Sequence, residues 1–462
     1  MIIPMVPRSR FLPTLTSLFA FLFLWGGCGH SVESAAPAVP VIRMVSLADN
    51  GVQANGDSDT PAINAEGNIV VFTSLATNLT ATDTGGTQQV FHRDVRTGRT
   101  SMVSEGVGGT PPDGESGMPS IDNSGRFVAF ESIASNLVAG ESLPGIMKNI
   151  YVRDVATRTT RRISTSTDNG FADGNCESPS ISGDGNLVVF ASMADNLVLP
   201  ARGIERKKEV YARNLQSGTI RRITGAPDNV TPPNGDSSNP VISRDGQYVA
   251  FLSYASNLVT NDSNGVGDVF LRDLSIGVTT LVSLDNAGRQ IHAATPSVNR
   301  PLALSASPDG RYVFVAFVSI DNSIVPDDNN SVRDVFLRVI DTVTGLATTE
   351  LVSVSASGSG TGNGYSDRPS ISDDGRFVVL RSESYDLTNP PGSANKAEIF
   401  VRDRNLGVTR KVSAGLNGQD AALAGPSSVS ANGAVIAFES AAENLVAGDV
   451  NRFQDIFIAT FP

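Results

Sequence analysis

Three short segments combine carboxylate and amide oxygens at spacings that suit a hard cation: NDSNGVGD (261–268), DDNNSVRD (327–334) and GDVNRFQD (448–455). Ca²⁺ takes about six to eight such oxygen ligands. The candidate calcium ligands are Asp262, Asn264, Asp268, Asp327, Asn329, Asp334, Asp449, Asn451 and Asp455. No segment has the glutamate that ends an EF-hand loop, and Asp and Asn also stabilise turns by bonding nearby backbone. Turn capping is therefore the competing interpretation, and the sequence requires no bound cofactor.

A second candidate site is the basic stretch ARGIERKKE (201–209), which stands out because the whole chain carries a net charge of −12. It offers Arg202, Arg206, Lys207 and Lys208 as contacts for an acidic partner or an anionic lipid. A solvated surface loop is the alternative interpretation. The acidic balance of the chain argues against a nucleic acid as partner, because phosphate binding needs clustered basic residues.

Residue types typical of catalysis are sparse in this chain. His92 occupies a position that is apolar in most other repeats of the chain, so it is expected in the core. His292 has no second histidine nearby in the sequence for a zinc site. Arg-Asp pairs such as Arg93-Asp94 recur at one repeat position, and this repetition favours a scaffold role. The sequence predicts no catalytic residue, although carboxylates near a central channel leave polysaccharide chemistry as an alternative.

These candidates are set in a repeat that occurs seven times. Its turn glycines are 58, 60, 61, 64, 65 and 58 residues apart, and they are Gly67, Gly125, Gly185, Gly246, Gly310, Gly375 and Gly433. Each copy reads, with variation, Pro-Ser-Ile-Ser, Asp-Gly, a strand such as YVAF, Asn-Leu-Val, a loop and two further strands. Four strands joined by such turns predict an antiparallel meander. The second strand is apolar on both faces, which predicts that neighbouring repeats cover it on both sides.

The repeats therefore predict an all-β fold, a seven-bladed β-propeller of four-stranded antiparallel blades, over residues 41–462. The seventh copy ends at its third strand, whereas IRMVS (42–46) matches the fourth strand of the other copies. We expect this N-terminal strand to complete the last blade and remove an exposed edge. A recurring polar residue before the third strand is expected to bond local backbone, and its copies are Gln89, Asn149, Glu209, Asp268, Asp334, Glu398 and Asp455.

The motifs PSISGDGNLVVF (179–190) and PVISRDGQYVAF (240–251) resemble the WD40-like PD40 repeats of TolB-like propellers, which are common in bacterial envelope proteins. The resemblance covers nearly all of residues 42–462. It implies the fold and an envelope location, and it implies little about function. TolB itself carries an additional N-terminal α/β domain, for which the segment between Cys28 and Ile42 leaves no room, so a role in the Tol system is not implied.

In such a meander, the connections from strand one to two and from three to four lie at one end of each blade. These connections are tight turns here, and we call their side the tight-turn face. The other connections are long, as in TGAPDNVTPPNGDSSNP (224–240). They are expected to gather on the opposite side, the long-loop face, which is the predicted binding surface.

Residues 1–27 are predicted to be an export signal of the lipoprotein type. Two arginines precede an apolar run (11–25) that is short for a stable membrane span. The following LWGGC resembles a bacterial lipobox, with tryptophan at the usual leucine position, and this resemblance implies lipidation of Cys28. Cleavage near SAAPA (34–38) and an uncleaved anchor are the alternatives. Residues 28–40 are rich in Ser, Ala and Pro, which predicts a flexible tether.

These features predict an exported protein of the periplasm or cell surface that is anchored to the outer membrane through lipid on Cys28. Its expected function is non-catalytic: as a monomer, it binds a protein or peptide partner in the cell envelope through the long-loop face. One alternative is a polysaccharide hydrolase or lyase that uses carboxylates near the channel. The other is a calcium-stabilised surface adhesion module.

Overall fold

The computed structural model describes residues 39–461 except 142–144, 199–205, 229–230, 293–299, 327, 329, 395 and 422. Cys28 and the predicted export signal lie outside the described residues, as do Arg202, Asp327 and Asn329. Among the residues that are described, no helix has the length and apolar character needed to cross a membrane.

The described residues form 28 strands in seven four-stranded antiparallel sheets, and β1 (Val41–Met44) precedes the repeats. Blades 1 and 2 are β2 (Ser58–Ile63), β3 (Ile69–Ser74), β4 (Gln89–Asp94), β5 (Arg99–Met102), β6 (Ser116–Ile121), β7 (Phe127–Ser132), β8 (Asn149–Asp154) and β9 (Thr159–Arg162). Blades 3 and 4 are β10 (Cys176–Ile181), β11 (Leu187–Ser192), β12 (Glu209–Asn214), β13 (Ile220–Arg222), β14 (Ser237–Ile242), β15 (Tyr248–Ser253), β16 (Asp268–Asp273) and β17 (Val278–Leu281). Blades 5 and 6 are β18 (Leu302–Ala306), β19 (Tyr312–Ser319), β20 (Asp334–Asp341), β21 (Ala347–Leu351), β22 (Ser366–Ile371), β23 (Phe377–Ser382), β24 (Glu398–Asp403) and β25 (Val408–Lys411). Blade 7 contains β26 (Ala424–Val429), β27 (Val435–Ser440) and β28 (Asp455–Thr460). Two short 3-10 helices, Val107–Gly109 and Leu416–Gly418, lie in connections between blades.

The two ends of the chain close the ring. β1 pairs with β28, so that blade 7 has the strand order β1-β28-β27-β26. The Ser46 hydroxyl, just beyond β1, donates a hydrogen bond to the Asp455 carboxylate (Oγ–Oδ1 2.5 Å), and it accepts one from the Ile456 N–H (3.1 Å). The predicted seven-bladed propeller and its closure by the N-terminal strand are confirmed.

The tight turns follow the chemistry of the repeat. All seven predicted turn glycines have φ between 69° and 79°, a backbone conformation that glycine adopts without steric cost. In blade 3, the Asn186 N–H donates to the Asp184 carboxylate (3.0 Å), and the Leu187 N–H donates to the Ser182 hydroxyl (3.0 Å). The Ser-x-Asp-Gly part of the motif therefore fixes the turn between the first two strands.

The hydrophobic core lies between blades. Seven clusters of buried side chains each join two neighbouring blades, and one of them joins Val45, Ile63 and Phe72 to Ile456 and Ile458 across the closure. The second strand is buried on both sides, as its apolar pattern predicts. Each blade therefore buries its apolar faces against its two neighbours.

Candidate functional site

Repeated clamps between two connections build the long-loop face. In blade 4, the Asn234 N–H donates to the side-chain oxygen of Asn257 (3.0 Å), and the Ser256 N–H donates to the side-chain oxygen of Asn234 (2.8 Å). The Asn257 amide also donates to the Pro232 carbonyl (2.7 Å). Asn257 belongs to the Asn-Leu-Val motif, so this motif holds the loops and does not bind a ligand with those atoms.

A glycine follows each clamp residue, and the two loops meet too closely for a side chain there. A Cβ atom at Gly235 would lie 2.5 Å from the carbonyl carbon of Tyr254, and one at Gly114 would lie 2.8 Å from the Ala134 nitrogen. The sequence analysis did not identify this Asx-Gly pair. Its signal is a repeat of Asn-Gly or Asp-Gly two residues before the first strand in five blades.

Apolar side chains recur at one position of the long-loop face. The residue directly after the second strand is apolar in six blades, and these residues are Leu75, Ile133, Met193, Tyr254, Ile320 and Ala441. Leu75, Tyr254 and Ile320 are 41%, 53% and 44% exposed. Exposed apolar side chains at one repeated position are typical of a surface that contacts another molecule.

The central channel encloses a cavity of about 220 Å³ lined by the first strands of the blades. Arg300 crosses its long-loop end, because the guanidinium of this blade 5 residue donates to the Pro61 carbonyl of blade 1 (3.0 Å) and the Pro119 carbonyl of blade 2 (3.2 Å). Arg244 crosses the other end, where it pairs with Asp373 (Nε–Oδ1 2.8 Å) and donates to Asn123 (2.8 Å). A ligand of the long-loop face therefore meets a plugged channel.

In five blades the residue before the proline of the first strand has an unusual backbone conformation, whereas Gly425 before Pro426 in blade 7 does not have a positive φ. The five at register shifts of the ladder are Thr60, Met118, Ser178, Asn239 and Arg368, with φ between 48° and 55°, and Arg300 has φ 57°. Proline fits at such a bulge because it has no N–H to donate. Positive φ in a residue with a side chain stores strain, and here it surrounds the channel entrance.

One carboxyl group at this entrance lies among charged neighbours. Glu439 accepts a hydrogen bond from the Thr60 N–H (2.8 Å), and its other oxygen lies 4.0 Å from Arg368. Burial and, to a smaller extent, the neighbouring Asp59 raise the pKa of Glu439 to about 7, against the lowering effect of the Thr60 hydrogen bond and of Arg368 and Arg300. A Cβ at Gly425 would lie 1.7 Å from the Glu439 carboxylate, so this glycine makes room for the side chain.

The predicted calcium ligands are brought together only in pairs. The Asn264 amide donates to Asp268 (2.7 Å) and to the Ile291 carbonyl (2.9 Å), and the Asn451 amide donates to Asp455 (2.7 Å). Asp262 accepts a bond from the Gln290 amide (3.2 Å). Among the described residues, no group of three or more His, Cys, Asp or Glu is arranged to hold a metal ion.

In the acidic segment 327–334, the residues equivalent to the candidate ligands of the other two segments lie one position later than those selected from the sequence. Asp328 and Asn330 have the same spacing to Asp334 as Asp262 and Asn264 have to Asp268, whereas the sequence analysis selected Asp327 and Asn329. Both Asp328 carboxylate oxygens and one oxygen of Asp449 are buried without a hydrogen-bond partner. Calcium binding by these segments stays a prediction.

The third strand of each blade begins with the polar residue noted in the sequence. The expected bond to local backbone is present for Asn149, whose amide donates to the Met147 carbonyl (3.1 Å). The sequence analysis did not predict the partner common to all seven blades, a hydroxyl beyond the fourth strand that donates to this residue. Ser104 donates to Gln89 (2.8 Å), Ser164 to Asn149 (3.1 Å) and Ser353 to Asp334 (2.6 Å), and the equivalent pairs are Thr224–Glu209, Ser283–Asp268, Ser413–Glu398 and Ser46–Asp455.

The described part of the basic stretch is partly neutralised within the chain. Arg206 pairs with Asp173 (Nη2–Oδ2 2.9 Å), and Lys208 pairs with Glu177. Lys207 is partly exposed. Partner binding by these residues stays a prediction, and intramolecular ion pairs compete with it.

Two other predictions from the repeat are confirmed. His92 is buried, its Nε2 lies 3.1 Å from the Gly125 carbonyl oxygen, and burial lowers its pKa. The Arg93 guanidinium donates to the Leu47 carbonyl (3.0 Å) and to the Thr100 hydroxyl (2.8 Å), which gives it the scaffold role expected of the Arg-Asp pairs.

No protein-family model and no curated protein matches this chain. Among solved structures, an oligogalacturonate lyase in complex with manganese is 12% identical to this chain. The match covers 92% of this chain and 97% of that chain, with a TM-score of 0.51. The propeller domain of the Trilobed protease from Pyrococcus furiosus shares 11% identity over 87% of this chain and 93% of that chain, with a TM-score of 0.48. TolB from Acinetobacter baumannii shares 17% identity over 64% of this chain and 54% of that chain, with a TM-score of 0.35, so this chain spans about half of that protein. The similarity to these proteins is a similarity of propeller fold.

Proposed function

We propose that this chain is an exported, membrane-anchored binding module that holds a protein or peptide partner on its long-loop face without catalysing a reaction. The supporting observation is the set of exposed apolar side chains at one repeated position of the long-loop face, Leu75, Tyr254 and Ile320. Arg300 plugs the channel beneath them, so a ligand contacts the rim and not the interior. Apolar anchors surrounded by polar loops are typical of protein interfaces.

In this proposal, the apolar run at residues 11–25 directs export, and lipid on Cys28 anchors the mature chain to the outer membrane, facing the periplasm or the cell surface. The chain acts as a monomer, because its closed ring leaves the sheet edges of the blades covered or short. The acidic loops around the rim favour a partner with a basic or neutral surface.

Photocrosslinking in cells tests the partner proposal. A photoreactive phenylalanine analogue at Tyr254 is expected to give a discrete protein adduct, because this side chain is half exposed at the rim. The same analogue at Gln216, which is exposed on the tight-turn face, is the matched control and should give none. Adducts at neither position, or equal adducts at both, would contradict the proposal.

A second function is favoured by one observation, the position of Glu439 beside Arg368 and Arg300 at the channel entrance. A carboxylate base beside guanidinium groups has the components needed to remove a proton next to a substrate carboxylate. The solved lyase with the same fold is named for an anionic oligosaccharide. This chain would then act as a polysaccharide lyase.

Incubation with oligogalacturonate tests the lyase alternative. If Glu439 is the base, the chain releases unsaturated product, and Glu439→Gln lowers that rate by about 100-fold or more because general-base catalysis is lost. Glu131→Gln is the matched control, since Glu131 occupies the same position of β7. No product from the unsubstituted chain would exclude this activity on that substrate.

A further inference from the structure

Apolar side chains also occupy the tight-turn face, at the tips of the turns between third and fourth strands. Ile276 of blade 4, Val343 and Leu346 of blade 5 and Leu406 of blade 6 are between 59% and 78% exposed. The apolar residues are not needed to form these turns, because a glycine with positive φ and an aspartate that accepts backbone hydrogen bonds already fix the turn conformation. The exposed apolar tips therefore need another explanation.

The tips are confined to one side of the ring. At the position of Ile276 and Leu406, blades 1, 2 and 3 carry Thr97, Thr157 and Ser217, and at the position of Leu346 they carry Arg99, Thr159 and Thr219. Packing within a blade is the same throughout the ring, so packing does not require apolar tips in blades 4 to 6. The asymmetry marks one sector of the face for contact with an apolar environment.

The tethered end of the chain enters the propeller on this same face and beside this sector. β1 begins at Val41, opposite Thr460, and it runs toward the long-loop face like every other fourth strand. Blade 7 therefore has the chain entry where blades 4, 5 and 6 have their turns. Val39 and Val41 are exposed there and extend the apolar sector to four consecutive blades.

We propose that this apolar sector, Ile276, Val343, Leu346, Leu406 and Val41, rests on a lipid bilayer. The inference rests on the proposed membrane anchor. The eleven Cα–Cα steps from Cys28 to Val39 span at most about 40 Å when fully extended, so the chain entry stays close to the bilayer surface. The face that carries the entry is the one that can reach the lipid.

This orientation gives each face a separate role, membrane contact for the tight-turn face and partner binding for the long-loop face. Interfacial proteins commonly need a second apolar or electrostatic contact besides one lipid chain for stable attachment. The apolar sector supplies that contact. With the tight-turn face on the membrane, the long-loop face and its rim point away from the lipid, where a partner has free access.

Tryptophan quenching by brominated lipid tests the orientation. The lipidated mature chain carries a single introduced tryptophan in each variant, because the one tryptophan of the sequence, Trp25, lies in the proposed export signal. In phosphatidylcholine vesicles with brominated acyl chains, Leu406→Trp is expected to lose at least about half of its fluorescence, because the tip reaches the acyl boundary. Val343→Trp is expected to behave in the same way.

Tyr254→Trp is the control, since it is half exposed on the opposite face, and its fluorescence should change by less than about a tenth. Equal quenching at both faces, or quenching of Tyr254→Trp alone, would overturn the inference while leaving the anchor intact. A chain that does not sediment with vesicles would overturn the anchor and this inference together. Unchanged thermal unfolding confirms that each variant is folded, and crosslinking at Tyr254 tests partner binding independently.

Discussion

Raising the pH from about 5 to about 8 is expected to lower the free energy of unfolding of this propeller by several kcal/mol, because its buried carboxyl groups keep their protons in the folded chain. Burial raises the pKa of Asp334, Glu398 and Glu439 to about 7 and that of Asp455 to about 6. Three of these groups begin third strands, where a hydroxyl donates to each of them.

The direction of the effect follows from proton binding. In the unfolded chain the aspartates lose their protons near the ordinary value of 3.8, and in the folded chain Asp334 keeps its proton up to about 7. Between these values the folded chain binds more protons, so stability is highest on the acidic side and falls as the pH rises. For the fully buried Asp334 this difference amounts to about 4 kcal/mol.

The propeller itself provides the matched substitution. Gln89 and Asn149 occupy the position of Asp334 in blades 1 and 2, and each accepts the same kind of hydroxyl hydrogen bond. Asp334→Asn is therefore expected to raise the free energy of unfolding by about 4 kcal/mol at pH 8 and by less than about 2 kcal/mol at pH 5. Urea unfolding of the variant and of the unsubstituted chain at pH 5 and at pH 8 measures this change in the free energy of unfolding.

Asp154→Asn is the control of opposite sign. The Arg126 side chain, which donates two hydrogen bonds to Asp154, holds the pKa of that carboxyl well below its usual range. This variant should lose stability at pH 8, because the ion pair is present there. A destabilised Asp334→Asn at pH 8, or a propeller equally stable at both pH values, would contradict the assignment of buried protonated carboxyls.

The fold of this chain could be predicted from local rules that the repeat displays many times. The turn glycines require positive φ, the second strand is apolar on both faces, and the phase shift between the two ends of the chain implies closure. Each rule concerns residues that are neighbours in sequence or in the same blade. Seven copies of the same pattern made the errors of any single copy unimportant.

The two ends of the channel could not be predicted, because they are built by contacts between blades that are distant in sequence. Arg300 reaches Pro61 and Pro119 across the ring, and Arg244 reaches Asp373 and Asn123. No spacing in the sequence indicates such pairs. The polar residue of the third strand shows the same difficulty, since its position was found correctly and its hydroxyl partner was not.

Deleting residues 41–46 is expected to destabilise the propeller by at least about 5 kcal/mol, because it removes the strand that closes the ring. β28 would lose its ladder partner and expose the edge of blade 7, which invites aggregation. Val45, which is 1% exposed, leaves the core between blades 7 and 1, and Asp455 loses the Ser46 hydroxyl. Differential scanning calorimetry and light scattering measure the two consequences.

The side chains of the same strand separate closure from side-chain loss. Val41 and Arg43 are exposed, so Val41→Ser and Arg43→Ala should change the free energy of unfolding by less than about 0.5 kcal/mol. Ser46→Ala should cost about 1–3 kcal/mol, since it leaves one buried oxygen of the Asp455 carboxyl group without its hydroxyl donor. A synthetic peptide of residues 39–48 is expected to restore stability to the deleted chain in a concentration-dependent way, because it binds only the folded ring. A deleted chain as stable as the intact one would mean that blade 7 needs only three strands and that the ring is held together by the cores between its other blades.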